Sequence, residues 1–101
     1  MMTPSQDSAP PINGVLETAL YVDDMPRAVR FFADVLGLPV MLRTDRLTAF
    51  DAGAGSVLLV FARGASQADV TGERGTVPGH DGAGPLHMAL RISADAYDGW
   101  K

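Results

Sequence analysis

Two stretches of the sequence, Glu17-Thr-Ala-Leu-Tyr-Val22 and His87-Met-Ala-Leu-Arg-Ile92, align without a gap. They begin 70 positions apart, at residues 17 and 87, and share an alanine, a leucine and a final β-branched residue. A repeat at this distance has the size of a whole supersecondary module, so the sequence predicts two copies of one module. Glu17 and His87 open the two copies, and both have side chains that bind metal ions. Pseudo-symmetry between the modules would bring these two residues close together.

Residues 15–22 alternate in polarity as a half-buried β-strand does. The more apolar face of this strand should pack on a helix and consists of Leu16, Thr18, Leu20 and Val22. Glu17, Ala19 and Tyr21 then point to the other side of the sheet. The carboxylate is therefore expected on the side away from the helix.

A helix is predicted next, because Asp23 or Asp24 can cap it, Pro26 suits its first turn and Gly37 suits its end. Its buried stripe should consist of Met25, Ala28, Val29, Phe32 and Leu36. Three strands follow at 39–43, 47–51 and 56–62, and the last is a nearly continuous apolar run that favours burial on both faces. The predicted fold class is α+β, with a β-α-β-β-β module over residues 13–63.

The remaining residues are assigned by composition and by the repeat. Residues 1–12 are polar and proline-rich and should form a disordered leader, whereas 64–84 should form a glycine-rich linker. Residues 85–101 should begin the second module, with a strand over 86–92 and a helix that starts near Ala96. The domain as a whole is expected to span 13–101. Because the second copy breaks off early, we expect either a longer protein or strands supplied by another chain.

Composition excludes several classes of function. A formal net charge of −4 argues against nucleic acid or an anionic membrane as the main partner. The absence of cysteine excludes disulfides and thiolate metal sites, and no apolar run approaches the roughly 20 residues of a membrane span. The glycine clusters also lack the spacing of a phosphate-binding loop. A cytoplasmic protein that acts on a small molecule is the expectation.

Residues 16–38, with Phe31-Phe32 and Leu36-Gly37-Leu38, resemble the opening of the vicinal oxygen chelate superfamily, and the resemblance continues through 55–61 and 84–92. This superfamily includes glyoxalase I, bleomycin-resistance proteins, fosfomycin-resistance enzymes and extradiol dioxygenases. The resemblance implies paired βαβββ modules around a metal or ligand cavity, with one metal ligand from the first strand of each module. Those positions are Glu17 and His87 here, although histidine is commoner than glutamate at the first. A further glutamate would come from the last strand of the second module.

Two functions are consistent with this resemblance. The first is an enzyme in which a divalent ion (Zn²⁺, Fe²⁺, Mn²⁺ or Ni²⁺) chelates vicinal oxygens of a substrate, with lyase, isomerase, transferase and dioxygenase chemistry all open. The alternative is a metal-free, dimeric protein of the bleomycin-resistance type that sequesters a small molecule, with a cationic ligand as one candidate. The negative charge and the glutamate at position 17 suit this alternative. A homodimer is expected in either case.

Four further residues are weaker candidates. His80, in the loop before the second copy, is a candidate catalytic acid or base on a lid formed by residues 64–84. The alternative, which we favour for His80, is an exposed loop histidine. Tyr21, Phe50 and Arg91 are candidate substrate-binding residues, and the alternative for the two aromatic residues is an ordinary place in the core.

Overall fold

A computed structural model of the chain describes residues 9–101, in which a four-stranded sheet packs against one helical segment. The first elements are β1 (Glu17–Val22), α1 (Met25–Val29), a π-helical segment (Arg30–Val35), β2 (Val40–Arg43), β3 (Leu47–Gly53) and β4 (Ser56–Ala62). The predicted order of strand, helix and three strands is confirmed.

The sheet has the strand order β1-β4-β3-β2, with β1 parallel to β4 and the other neighbours antiparallel. β4 lies between β1 and β3, so both of its edges are hydrogen-bonded. The predicted burial on both faces holds in part: Leu58 and Val60 are buried on the helix side and Phe61 on the other, whereas Val57 and Leu59 are half-buried.

The core lies between the sheet and the helical segment and is formed by Phe32, Phe50, Leu58 and Val60. Leu20 and Val22 of β1 pack against this core, as do Met25, Ala28, Val29 and Leu36. The predicted helix stripe is confirmed. The helix-facing side of β1 is confirmed for Leu20 and Val22, whereas Leu16, predicted on the same side, is 69% exposed. Glu17 consequently lies on the opposite face of the sheet.

The helical segment begins and ends as its sequence predicts. Asp24 accepts a hydrogen bond from the amide of Arg27 at 3.0 Å, and Gly37 has a φ of 73°, which favours glycine. The interior differs from a continuous α-helix, because the amide of Leu36 bonds to the carbonyl of Phe31 at 3.0 Å, five residues back. This π-helical pattern is not encoded in the apolar spacing alone.

The predicted linker, residues 64–84, contains regular structure. A short hairpin consists of β5 (Val70–Gly72) and β6 (Gly75–Val77), and all six of its residues are exposed. The linker prediction therefore has to be corrected. Two strands of three residues are too short for an alternating pattern to mark them in the sequence.

The predicted strand over 86–92 is wrong for the structure described. Residues 85–93 carry no strand or helix, although Met88 packs against the core. The next helical elements are two 3₁₀ turns, Ala94–Ala96 and Asp98–Trp100, in place of the start of a regular helix. A β-strand needs a neighbour for its hydrogen bonds, and none of the described strands pairs with this stretch.

Of the predicted leader, residues 1–8 lie outside the described residues. Residues 9–12 are exposed and belong to no helix or strand. Within residues 9–101, no helix combines the length and apolarity that crossing a membrane requires.

Candidate functional site

The face of the sheet opposite the helix, here termed the open face, carries the first candidate. Strand alternation and register place on it Glu17, Ala19, Tyr21, Leu47, Ala49, Asp51, Val57, Leu59 and Phe61. Apart from Glu17 and Asp51 at one end and Tyr21 at the other, these side chains are apolar. The open face is therefore an apolar floor with polar groups at its two ends.

Glu17 is exposed at the start of β1, beside Val57 of the central strand. Asp51 lies in the same row, on the other side of Val57. The Asp51 carboxylate accepts a hydrogen bond from the amide of Gly53 at 2.8 Å, so it already stabilises the β3–β4 turn. The Glu17 carboxylate has no hydrogen bond or ion pair with another residue among 9–101, which leaves it available to a ligand.

His87 is exposed in the irregular stretch that follows the glycine-rich segment. Its imidazole likewise has no hydrogen-bond partner within the described part of the chain. Thr18 and Met88 line a cleft on the helix side of the sheet, together with Leu58. Glu17 lies on the opposite face, so this cleft does not bring Glu17 and His87 together.

A divalent ion is the cofactor implied by the resemblance, and the side chains present fit it in part. A carboxylate oxygen and a neutral imidazole nitrogen, both unengaged, are suitable donors for Zn²⁺ or Mn²⁺. Residues 9–101 contain no cluster of three or more histidine, cysteine, aspartate or glutamate side chains. Leu59 of β4 offers no donor on the open face. Glu17 and His87 would therefore be two ligands of a site that needs at least one more from outside this set.

Tyr21 and His80 meet at the other end of the open face. The Tyr21 hydroxyl and Nδ1 of His80 are 2.8 Å apart, which is a hydrogen bond between residues 59 positions apart in sequence. The His80 ring also packs edge-on against Phe61, with ring centroids 4.5 Å apart, and Tyr21 stacks on the same Phe61 ring at 5.6 Å. Both polar side chains are half-buried. The prediction of an exposed loop histidine is wrong for His80.

The segment that carries His80, residues 79–82, is fastened to the turn after β4 and is here termed the strap. The amide of His80 donates to the carbonyl of Ser66 at 2.8 Å, and the amide of Gly79 donates to Asp69 at 2.7 Å. Arg63 donates to the carbonyl of Gly82 at 3.2 Å while it forms an ion pair with Asp23 at 2.7 Å. The strap is thus held at several points, which a freely moving lid would not be.

The Asp81 side chain accepts two hydrogen bonds within the described residues. Its two carboxylate oxygens accept from the amide of Gly64 at 3.0 Å and from the side chain of Gln67 at 3.2 Å. The hydrogen bond from Gly64, followed by that from Gln67, lowers the pKa of Asp81 below its ordinary value, because both stabilise the charged form. The ionised Asp81 carboxylate therefore links the strap to residues 64 and 67.

Two glycines are required by the close approach of the strap. A Cβ atom on Gly82 would lie 2.5 Å from the Tyr21 ring, and one on Gly79 would lie within the contact distance of the Gln67 backbone. The glycine content of this region therefore serves close packing as well as turns.

The two remaining candidates, Phe50 and Arg91, lie in different parts of the molecule. Phe50 is 0% exposed in the core against the helical segment, so its assignment as a substrate-binding residue is wrong. Strand alternation turns it to the helix side, whereas its neighbours Ala49 and Asp51 face the other way. Arg91 lines the cleft of about 1170 Å³ between the β3–β4 turn and residues 88–92, together with Trp100. It is the cationic side chain of that mostly apolar cleft.

Several residues of this site escaped the sequence reasoning. Phe61 was expected only as core, and Arg63, Ser66 and Gln67 carried no motif. The Gly79-His-Asp-Gly82 quartet was the available signal, because glycines on both sides of two polar residues favour a backbone that packs closely against another element.

Comparison with known proteins is consistent with this architecture. The chain matches the Glyoxalase/Bleomycin resistance protein/Dioxygenase superfamily over residues 14–98. A crystal structure of lactoylglutathione lyase from Agrobacterium tumefaciens is similar, with 30% sequence identity and a TM-score of 0.76. The match covers 90% of this chain and 67% of that protein. No curated protein sequence matches. The family match spans most of the chain, and the chain therefore belongs to the glyoxalase/bleomycin resistance protein/dioxygenase superfamily.

Proposed function

We propose that this protein is a glyoxalase-like enzyme that binds a small molecule with two neighbouring oxygens, at a divalent metal ion held in part by Glu17 and His87. The observation that carries the proposal is the repeat, in a chain of the glyoxalase superfamily: its equivalent positions 17 and 87 hold an oxygen donor and a nitrogen donor. Both side chains are exposed and have no hydrogen-bond partner among residues 9–101.

The roles of the residues follow from their chemistry. Glu17 would supply a negative oxygen donor, and His87 a neutral nitrogen donor that binds only when it is deprotonated. When bound, the ion would act as a Lewis acid that stabilises negative charge on the substrate oxygens. The apolar side chains of the open face, Ala19 and Leu59 in particular, would exclude water from the substrate.

A metal-free binding protein is the second candidate, and the open face favours it. β4 contributes Val57, Leu59 and Phe61 to that face and no metal donor. An apolar floor with an exposed carboxylate at its end suits a cationic, largely apolar ligand. The net charge of −4 would attract such a ligand over longer distances.

Metal analysis discriminates between the two candidates. The protein, purified without chelator, is expected to hold a stoichiometric divalent ion and to lose it in His87→Ala. Glu17→Gln should weaken binding less, because one amide oxygen remains. Glu73→Gln, a charge change in the exposed hairpin connection, is the matched control. Metal content unchanged in both site variants would favour the binding-protein candidate.

The name of the solved neighbour suggests a first probe molecule. S-lactoylglutathione carries a hydroxyl next to a thioester carbonyl, which is a pair of neighbouring oxygens. We expect it to bind to the metal-loaded protein, as calorimetry would measure. The cytoplasmic location and the homodimer remain predictions, and light scattering tests the latter.

A further inference from the structure

The cleft that Arg91 lines is a concave surface separate from the candidate metal site. It lies on the helix side of the sheet, where Thr18 and Leu58 form part of its wall. Glu17 points to the opposite face, and His87 does not belong to the lining. The proposed function therefore leaves this cleft, and the cation in it, without a role.

The wall of the cleft is apolar and open to solvent. The side chains of Val15, Leu90, Ile92 and Trp100 are all exposed, although they line the same concave surface. Exposed apolar side chains that share one concave surface are typical of a binding site, whereas scattered ones need no explanation. The volume of about 1170 Å³ exceeds what a small polar head group fills, so the cleft has room for an apolar chain as well.

Arg91 gives the cleft a local positive charge, because no aspartate or glutamate among residues 9–101 lines it. The ion pairs within these residues are formed by Arg63 and Lys101 instead. An uncharged occupant of the cleft would take water away from the guanidinium and offer it no partner, which costs free energy. A carboxylate avoids this cost, because a guanidinium can donate two parallel hydrogen bonds to it.

We propose that this cleft binds an anionic amphiphile, that is, a ligand with a carboxylate head and an aliphatic chain. The Arg91 guanidinium binds the head, and the apolar wall around Val15, Leu90 and Ile92 covers the chain. The attraction has to be local, because the net charge of −4 repels an anion at longer range. The site is independent of the proposed function, since its lining contains neither candidate metal ligand.

The fluorescence of Trp100 tests the proposal, since it is the single tryptophan of the chain and lines the cleft. Decanoate and decanol, which share a chain length and differ in the charge of the head, are titrated into the protein below the concentrations at which they aggregate. We expect decanoate to shift the Trp100 emission to shorter wavelength, because it displaces water from the indole. It should bind at least about tenfold more tightly than decanol.

Two variants and a matched control identify the groups that bind decanoate. Arg91→Gln should weaken decanoate about tenfold, as expected for a lost charge-assisted hydrogen bond, and change decanol less than about twofold. Ala89→Asp adds a carboxylate to an exposed part of the wall and should weaken decanoate more than decanol. Arg74→Gln, the same loss of charge in the exposed hairpin connection, should change neither affinity.

Several results would overturn the proposal. One is an equal affinity of the wild type for decanoate and decanol, and another is an unchanged decanoate affinity in Arg91→Gln. An equal loss in Arg91→Gln and Arg74→Gln would show that decanoate responds to net charge alone. Failure of the wild type to bind either probe would remove the site altogether. A Trp100 emission that shifts with protein concentration before any probe is added would show that a second copy covers the cleft, and would also overturn the proposal.

Discussion

The two copies of the sequence repeat have different structures. Residues 17–22 form strand β1, which pairs along its length with β4, whereas residues 87–92 contain no strand. Leu20 packs against the core, and its counterpart Leu90 is 41% exposed. Nearly the same local sequence is therefore compatible with a strand and with irregular backbone.

The difference shows where the stability of a strand comes from. β1 is next to β4, whose buried Leu58 and Val60 and whose backbone complete both the core and the ladder. The described residues offer no such neighbour to 87–92. Strand propensity is a weak, context-dependent preference, so tertiary contacts decide between the two outcomes.

Truncation of a buried side chain in β4, the strand that pairs with β1, should have the largest effect on the free energy of unfolding. Leu58 is 1% exposed and lies between Thr18 and Phe50 in the sheet. We expect Leu58→Ala to lower the free energy of unfolding by about 3–4 kcal/mol, because it opens a cavity in the core. Leu59→Ala, on the open face of the same strand, should cost about 1–2 kcal/mol. Urea unfolding measures both, and equal losses would contradict the assignment of the two faces.

The repeat itself provides a matched pair of substitutions. Leu20→Ala should lower the free energy of unfolding by about 2 kcal/mol, since Leu20 packs on the core. Leu90→Ala should cost less than about 1 kcal/mol, because Leu90 is 41% exposed and does not pack against the core. A cost for Leu90→Ala as large as that for Leu20→Ala would mean that the second copy is packed in solution as the first is.

The smallest expected effect concerns Asp81, which lies in the strap between the two repeat copies. Folding lowers the pKa of Asp81 from its ordinary 3.8. The ionised carboxylate therefore stabilises the fold above pH 3.8, and this stabilisation is lost as the pH falls through the lowered pKa. The amide proton shift of Gly64, which donates to Asp81, should therefore titrate with a midpoint below 3.8. In Asp81→Asn this titration should disappear. A midpoint at or above the ordinary pKa of aspartate would contradict stabilisation of the Asp81 carboxylate by these hydrogen bonds.

Local patterns predicted the first module well. The capping aspartate, Gly37 and the period of the helix stripe are encoded within a few residues of the elements that they define. The alternation in β1 likewise placed Glu17 on the open face. These features depend on backbone geometry and on apolar spacing, both of which the sequence displays directly.

The remaining features depend on distant residues. The strand predicted at 86–92 requires a neighbour that no local pattern reveals, and Tyr21 and His80 meet across 59 positions. Phe50 was placed among the substrate-binding candidates because an aromatic residue suits a pocket wall or a core equally well. Only the register of β3 with β4 assigns it to the core.

The central claim is that the two repeat copies, despite their different structures, bind one metal ion through Glu17 and His87. Paramagnetic broadening by Mn²⁺ tests it most directly, because the effect depends steeply on distance from the ion. At substoichiometric Mn²⁺, we expect amide signals around residue 17 and around residue 87 to broaden together, while those of the hairpin at 70–77 stay sharp. Broadening near only one of the two copies, or near neither, would contradict the claim.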